Sequence, residues 1–184
     1  MIFSLKEYRL KNGKKYSIRS AEESDSKDII KYRQEVTSET NFLLTYPEEI
    51  DTNIEKMMKY LRDFEKSTDR LFLLVYMNGE IIGMCSIVPI LERIKVKHRT
   101  TFGLTVKKEF QGMGVGNILM NEIIENARKM NYEQIELEVY SNNKNAIKLY
   151  EKHGFQKWGE IPNGYKLKDG TYNNCIKMGK FLKK

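Results

Sequence analysis

Gln111-Gly112-Met113-Gly114-Val115-Gly116 places three glycines within six residues, directly ahead of an apolar helical pattern. Glycines at such a junction let backbone amides approach a ligand closely. A helix start adds N–H groups without intrahelical partners and the positive end of the helix dipole. Together these make a place for phosphate groups. Two common phosphate binders fail at named residues. A P-loop requires Gly-Lys-Ser/Thr, whereas Gly116 is followed by Asn117 and Ile118. A dinucleotide fingerprint requires Gly-x-Gly-x-x-Gly, and its last glycine is Asn117 counted from Gly112 or Leu119 counted from Gly114.

Other segments carry acidic and aromatic groups that could serve a site. In Glu136-Leu137-Glu138-Val139, strand alternation puts both glutamates on one face and the apolar pair on the other. Tyr46-Pro47-Glu48-Glu49 sets acids beside an aromatic ring, which suits a cation. The same acids also suit the start of a helix. His98 begins a strand in a charged stretch, and Trp158, Tyr165 and Tyr172 fall in the last hairpin, where aromatics usually serve sheet packing.

The hexapeptide reads Gln-x-x-Gly-x-Gly and resembles the pyrophosphate-binding motif of the GCN5-related N-acetyltransferase (GNAT) superfamily. A second segment strengthens the resemblance. Leu137-Glu138-Val139-Tyr140 is followed by Asn142, Asn143, Asn145, Ala146, Leu149, Tyr150, Gly154 and Phe155, similar to the family's strand and Asn-x-x-Ala-x-x-Leu-Tyr-x-x-x-Gly-Phe. Leu104-Thr105-Val106 and Ile18-Arg19-Ser20-Ala21 also look like family segments, so the likeness covers about residues 16–181.

The resemblance implies acetyl-CoA as co-substrate. The strands of Leu104–Val106 and Glu136–Tyr140 would lie parallel and splay apart. The pantetheine would pair with backbone groups of Leu104, Thr105 and Val106. The pyrophosphate would rest on the turn from Gln111 through Gly112, Met113, Gly114, Val115 and Gly116 to Asn117, and Asn145 would bond the pantetheine. An amine of pKa about 10 is almost wholly protonated at neutral pH, and only its neutral form attacks a thioester. The reaction therefore needs a base, a donor for the carbonyl oxygen and a proton for the departing thiolate. Tyr150 occupies the family tyrosine that faces the sulfur and is the expected acid. Glu138, twelve residues before it, looks like the glutamate proposed to activate the amine in the ribosomal-protein alanine N-acetyltransferase branch. Glu48, Glu49 and His98 are rival bases, and a water chain remains open. Tyr46 and Glu48 lie where the family's acceptor loop usually falls.

Positioning these groups requires the order β-β-α-α-β-β-β-α-β-α-β-β. Asn12-Gly13, Asn78-Gly79 and Asp169-Gly170 mark tight turns between extended runs. Ser24 or Asp25 caps a first helix with Ile29, Ile30, Arg33 and Val36 on its face. Asp51 or Thr52 starts a second helix, with Ile54, Met57, Met58 and Leu61 inward. Pro47 makes its surroundings a loop. Strands run from Arg70 to Tyr76, Glu80 to Ile90, His98 to Val106 and Glu133 to Tyr140, with helices to about Met130 and from Asn143 to His153. The expected fold is α/β (α+β), a GNAT-type mixed, mostly antiparallel central sheet of about seven strands with helices on both faces and a β-α-β acyl-CoA-binding unit. No linker or repeat interrupts 184 residues, so one domain over 1–184 is expected.

Hydrophobic residues at 40% and charged residues at 31% fit a folded, soluble chain. Cys85 and Cys175 sit in no metal-ligand spacing, so no metal is expected, though one bridge between them stays open. The first apolar stretch, Met1 to Leu5, is too short for a signal core, and no run spans a membrane. A cytoplasmic enzyme is the expectation. Net charge is +7, concentrated as +5 in residues 1–20 and +5 in 166–184. No helix carries a basic stripe, which disfavours nucleic acid. The expected activity is acetyl transfer from acetyl-CoA to a primary amine of a small molecule, amino acid or peptide N-terminus, by direct attack in a ternary complex. The alternatives are a ribosomal-protein or other protein N-terminal acetyltransferase and a non-catalytic CoA-binding regulator. Dimers are common in the family.

Overall fold

The computed structural model describes residues 3–182. Met1, Ile2, Lys183 and Lys184 lie outside the described residues, as do the parts of the expected single domain, apolar N-terminal stretch and basic ends that fall on them. The elements are β1 Lys6–Arg9, β2 Lys15–Ser20, α1 Ser26–Ser38, α2 Ile54–Lys66, β3 Leu71–Met77 and β4 Glu80–Pro89. There follow β5 Arg99–Val106, α3 Val115–Lys129, β6 Gln134–Tyr140, α4 Lys144–Lys152, β7 Gln156–Lys166 and β8 Tyr172–Phe181. The order is the expected one. Eight strands, rather than about seven, hydrogen-bond in the order β1-β2-β3-β4-β5-β6-β8-β7. The β5–β6 pair is parallel, and the recorded pairs β1–β2, β2–β3, β3–β4, β6–β8 and β7–β8 are antiparallel. Contacts group the chain into two compact units. One runs through Val88 and resumes over Gly103–Leu119; the other is Pro89–Phe102 with the chain from Met120 onward.

In the first unit, Asn78 and Gly79 both take positive φ, 53° and 82°, the pattern that joins twisted antiparallel strands. Residues Leu71 to Val75 of β3 are buried on both faces, and α1 and α2 contribute Ile29, Val36, Met57, Leu61 and Phe64 to the core over them. Three expectations shift here. Asp25 is the residue before α1, but its side chain caps nothing in that helix. It accepts instead from both Arg19 nitrogens, the Glu22 amide and the Tyr76 hydroxyl, each at 2.7 Å. Burial pushes the Asp25 carboxyl up, but those donors together hold it below the usual range. On α1, Tyr32 at 2% exposure joins Ile29, Ile30 and Val36 inside, while Arg33 is only half-buried. The second helix is capped by Asn53, whose side chain accepts from the Lys56 amide at 2.9 Å, and Ile54 beside it is 46% exposed.

In the second unit, β5 and β6 pair from Arg99↔Gln134 to Thr101↔Glu136, and the ladder ends there although both strands run on. β6 and β8 pair along the whole of β6, from Gln134↔Phe181 to Tyr140↔Cys175. Asn143 caps α4 by accepting from the Ala146 amide at 3.2 Å, and Gly154 follows its end at φ 81°.

Candidate functional site

The glycine turn belongs to the first unit. Gly112 and Gly114 hold φ of 74° and 100°, which ordinary side chains rarely adopt, and a Cβ at either would meet nothing within 4 Å. Among the described residues, none of the amides from Gly112 to Gly116 donates to a protein acceptor. Helix α3 begins inside this run, so its first N–H groups add to it. The turn is braced from behind. Gln111 Nε2 donates to the Val106 carbonyl at 3.1 Å, the Met113 carbonyl accepts from the Lys11 amide at 3.4 Å, and the Lys108 amide donates to Glu39 at 2.9 Å. A diphosphate fits a row of amides that have no protein acceptor among the described residues, with no side chain at Gly112 or Gly114 to cover them. At the end of β5, Leu104, Thr105 and Val106 are each partly exposed, and Thr105 Oγ1 is hydrogen-bonded by the Tyr32 hydroxyl at 3.1 Å.

Tyr150 belongs to the second unit. Its ring packs edge-on against Phe102 at 5.9 Å and tilted against Phe155 at 6.0 Å. Among the described residues its hydroxyl has no hydrogen-bond partner. Burial pushes the phenol up to about 12, so it carries its proton at neutral pH and suits an acid rather than a base. Asn145 is exposed on the first turn of α4. A cavity of about 390 Å³ opens on a different face of α4, lined in part by Lys144, Ile147, Lys148 and Glu151; neither Tyr150 nor Glu138 reaches it.

The two glutamates of β6 share a face but not an environment. Glu136 is 2% exposed and accepts from both nitrogens of Arg99, from Gln134 and from Lys177 at 3.2 Å. Burial raises the Glu136 carboxyl, and Arg99 leads the donors that hold it low. Glu138 is exposed, and among the described residues no ion pair reaches it. No hydrogen bond joins it to Tyr150 among the described residues.

Two further residues of that face were not assigned to the site from the sequence. Tyr140 and Cys175 sit opposite each other across β6 and β8. Tyr140 shares the face of Glu138 by alternation alone, a signal available in the sequence; Cys175 is placed only by the register of the hairpin. Of the hairpin aromatics, Tyr165 stacks on Tyr140 with centroids 3.8 Å apart, whereas Tyr172 is 54% exposed under Lys166. Trp158 covers Gly179, where any Cβ would strike the indole.

The rivals for the base differ in freedom. Glu49 accepts from the Tyr46 amide at 2.8 Å in a capping box, a structural task. Tyr46 is half-buried and Glu48 exposed in the same turn, while His98 is half-buried with its carbonyl accepting from the Glu133 amide. Neither cysteine forms a disulfide, and both are buried. Among the described residues no group of three His, Cys, Asp or Glu gathers, and no helix is long and apolar enough to cross a membrane.

Comparison with known proteins agrees with this geometry. The chain is 31% identical over 109 residues to the L-amino acid N-acetyltransferase AaaT of Escherichia coli (strain K12), covering 59% of this chain and 66% of that protein. It is 29% identical over 105 residues to a ribosomal protein bS18-alanine N-acetyltransferase of Haemophilus influenzae, covering 57% and 68%. The chain therefore spans about two thirds of the length of these relatives. A crystal structure of a GNAT-family acetyltransferase from Streptococcus pneumoniae matches at a TM-score of 0.86 and 29% identity, over 90% of this chain and 99% of that one. A model of the acetyltransferase (GNAT) family matches residues 36–155, well over half the chain, and the chain belongs to that family of acyltransferases.

Proposed function

We propose that the protein transfers an acetyl group from acetyl-CoA to a primary amine by direct attack in a ternary complex. The observation that carries this reading is the row of acceptor-free amides from Gly112 to Gly116, at the start of α3, in a chain of the GNAT family. Acetyl-CoA supplies the activated acyl group as a thioester. The amides of the glycine turn and Asn117 hold its pyrophosphate, and the backbone of Leu104 to Val106 with Asn145 holds the pantetheine.

Tyr150 gives its proton to the departing thiolate. Burial pushes the phenol up to about 12, so it is protonated at neutral pH and can hydrogen-bond the sulfur as its negative charge develops. Glu138 takes the proton of the amine, directly or through water; its exposure and its lack of a cation partner among the described residues suit that task. Tyr46 and Glu48 help to seat the acceptor. One relative is named for N-acetylation of L-amino acids and another for N-acetylation of an alanine of a ribosomal protein, two classes of acceptor. The second acceptor class is favoured by the Leu137-Glu138-Val139 strand.

The test is release of free CoA thiol from acetyl-CoA, scanned over polyamines, amino acids, aminoglycosides and short peptides. Release with one class identifies the acceptor. Acetyl-CoA binding without release from any of them would favour a cofactor-binding regulator instead.

A further inference from the structure

The hairpin of β7 and β8 carries an irregularity whose effect converges on Glu138. Ile161 pairs with Cys175 and Tyr165 with Asn173, so four steps on β7 match two on β8. The surplus is taken up at Pro162-Asn163-Gly164. Asn163 adopts φ 53°, and its amide donates to the Asn174 side chain at 3.0 Å. Asn174 in turn donates to Glu160 at 2.6 Å, pinning the bulge from both sides. A Cβ on Gly164 would come within 2.5 Å of the Cys175 Cβ, so only glycine lets β7 pass there. Bulges of this kind re-aim a side chain.

What is re-aimed is Tyr165. Its ring lies on Tyr140 at 3.8 Å and 14°, and Cys175 sits opposite Tyr140 in the β6–β8 register; burial and then the neighbouring Cys175 push the Tyr165 phenol up. Burial pushes the Cys175 thiol up; the Tyr165 hydroxyl beside it pulls it back down and the Glu138 carboxylate pushes it further up. Cys175 thus stands between Tyr165 and Glu138, on the strand face that Glu138 and Tyr140 share. Lys177, opposite Glu138 in the register, turns its ammonium to Glu136 at 3.2 Å and leaves Glu138 as the negative group of this patch.

We infer that Cys175 and Tyr165 are positioning residues for the Glu138 carboxylate, and that Glu138 with the Tyr140–Tyr165 pair seats the acceptor as an alkylammonium ion. The inference rests on the proposed role of Glu138 toward the amine. An exposed carboxylate alone samples several rotamers; one within reach of a thiol that a stacked tyrosine backs is held in place. A carboxylate beside aromatic rings draws a protonated alkylamine more strongly than an uncharged one.

The experiment uses the full chain and measures KM for acetyl-CoA, KM for an alkylamine and kcat. Substrates are an alkylamine and an aromatic amine that is uncharged at neutral pH. Wild-type turnover is established first; its absence with every amine would overturn acetyl transfer itself and this inference with it. With turnover in hand, Cys175→Ala and Tyr165→Phe are expected to raise the alkylamine KM roughly tenfold, the scale of a lost hydrogen bond to a charged group. Acetyl-CoA KM and the aromatic-amine KM should stay within about twofold, a limit set well below that scale. Cys175→Ser, which keeps a donor, should restore the alkylamine KM. An unchanged alkylamine KM in both variants, or equal rises for acetyl-CoA and both amines, would overturn the inference while leaving acetyl transfer standing.

Discussion

Replacing Gly114 separates the backbone requirement of the turn from its ligand. At φ 100° a side chain is strained, yet a Cβ there meets nothing within 4 Å, so Gly114→Ala carries a conformational penalty and no clash. That penalty is about 1–2 kcal/mol. In a chain of this length it lowers Tm by roughly 2–8 °C. Gly170, in the turn between β7 and β8, has φ 86° and equally open space, so Gly170→Ala carries a comparable penalty and serves as the control. Affinity is where the two must part. The methyl of Gly114→Ala projects among the amides that take the pyrophosphate, and Gly114→Glu adds a carboxylate. At about 5 Å and an effective dielectric constant near 20, that charge opposes each phosphate charge by about 3 kcal/mol. The dissociation constant then rises by about a hundredfold or more. Melting curves and calorimetric titration with acetyl-CoA supply both numbers. Wild-type affinity for acetyl-CoA in Gly114→Glu, or weakening by Gly170→Ala equal to that by Gly114→Ala, would remove the pyrophosphate from this turn.

Three other perturbations follow from the site and its supports. Tyr150→Phe keeps the packing on Phe102 and Phe155 and should lower kcat by about a hundredfold with acetyl-CoA affinity largely unchanged. Because the Tyr150 phenol is pushed up to about 12, wild-type turnover should rise with pH as the amine deprotonates, with no loss from this acid below about pH 11. A steady pH–rate profile checks this, and equal turnover in the variant removes Tyr150 from the mechanism. The paired glutamates should divide cleanly. Glu136→Gln leaves Arg99 and Lys177 without their carboxylate and should cost about 2–4 kcal/mol in denaturant titrations. Glu138→Gln should leave stability within about 0.5 kcal/mol and reduce turnover. Asp25→Asn should destabilise the fold by about 2 kcal/mol at neutral pH. The Asp25 carboxyl is held below its ordinary 3.8 in the folded protein, so its contribution is complete above that value and disappears as pH falls through the lower folded pKa. Wild type and variant should therefore converge in acid, and a difference that persists there would contradict the assignment.

The order of elements was legible because local signals agreed with it. The Asn-Gly and Asp-Gly turns need positive φ, and Gly13, Gly79 and Gly170 supply it at 83°, 82° and 86°. The place of the glycine turn ahead of α3 and of Tyr150 on α4 was also legible, since their spacing is local. Asp25 was misread because its partners, Arg19 and Tyr76, come from β2 and β3; a local cap loses to three convergent donors that no helix pattern displays. Alternation gave Glu136 and Glu138 a common face but not a depth, which Arg99 and Lys177 decide. The link of Tyr165 and Cys175 to Glu138 was invisible for a different reason. The surplus at Pro162-Asn163-Gly164 shifts the pairing, and period-two counting assumes none.

Acetyl transfer is tested most directly by measuring both products in one reaction: free CoA thiol by titration and N-acetylated amine by mass spectrometry, with acetyl-CoA and the best amine of the panel. Transfer to an amine in a ternary complex predicts the two in equal amounts, both dependent on the amine. Thiol released without acetylated amine would mean thioester hydrolysis, and neither product with any amine or peptide would mean that the turn binds its ligand for another purpose; either result would contradict the account.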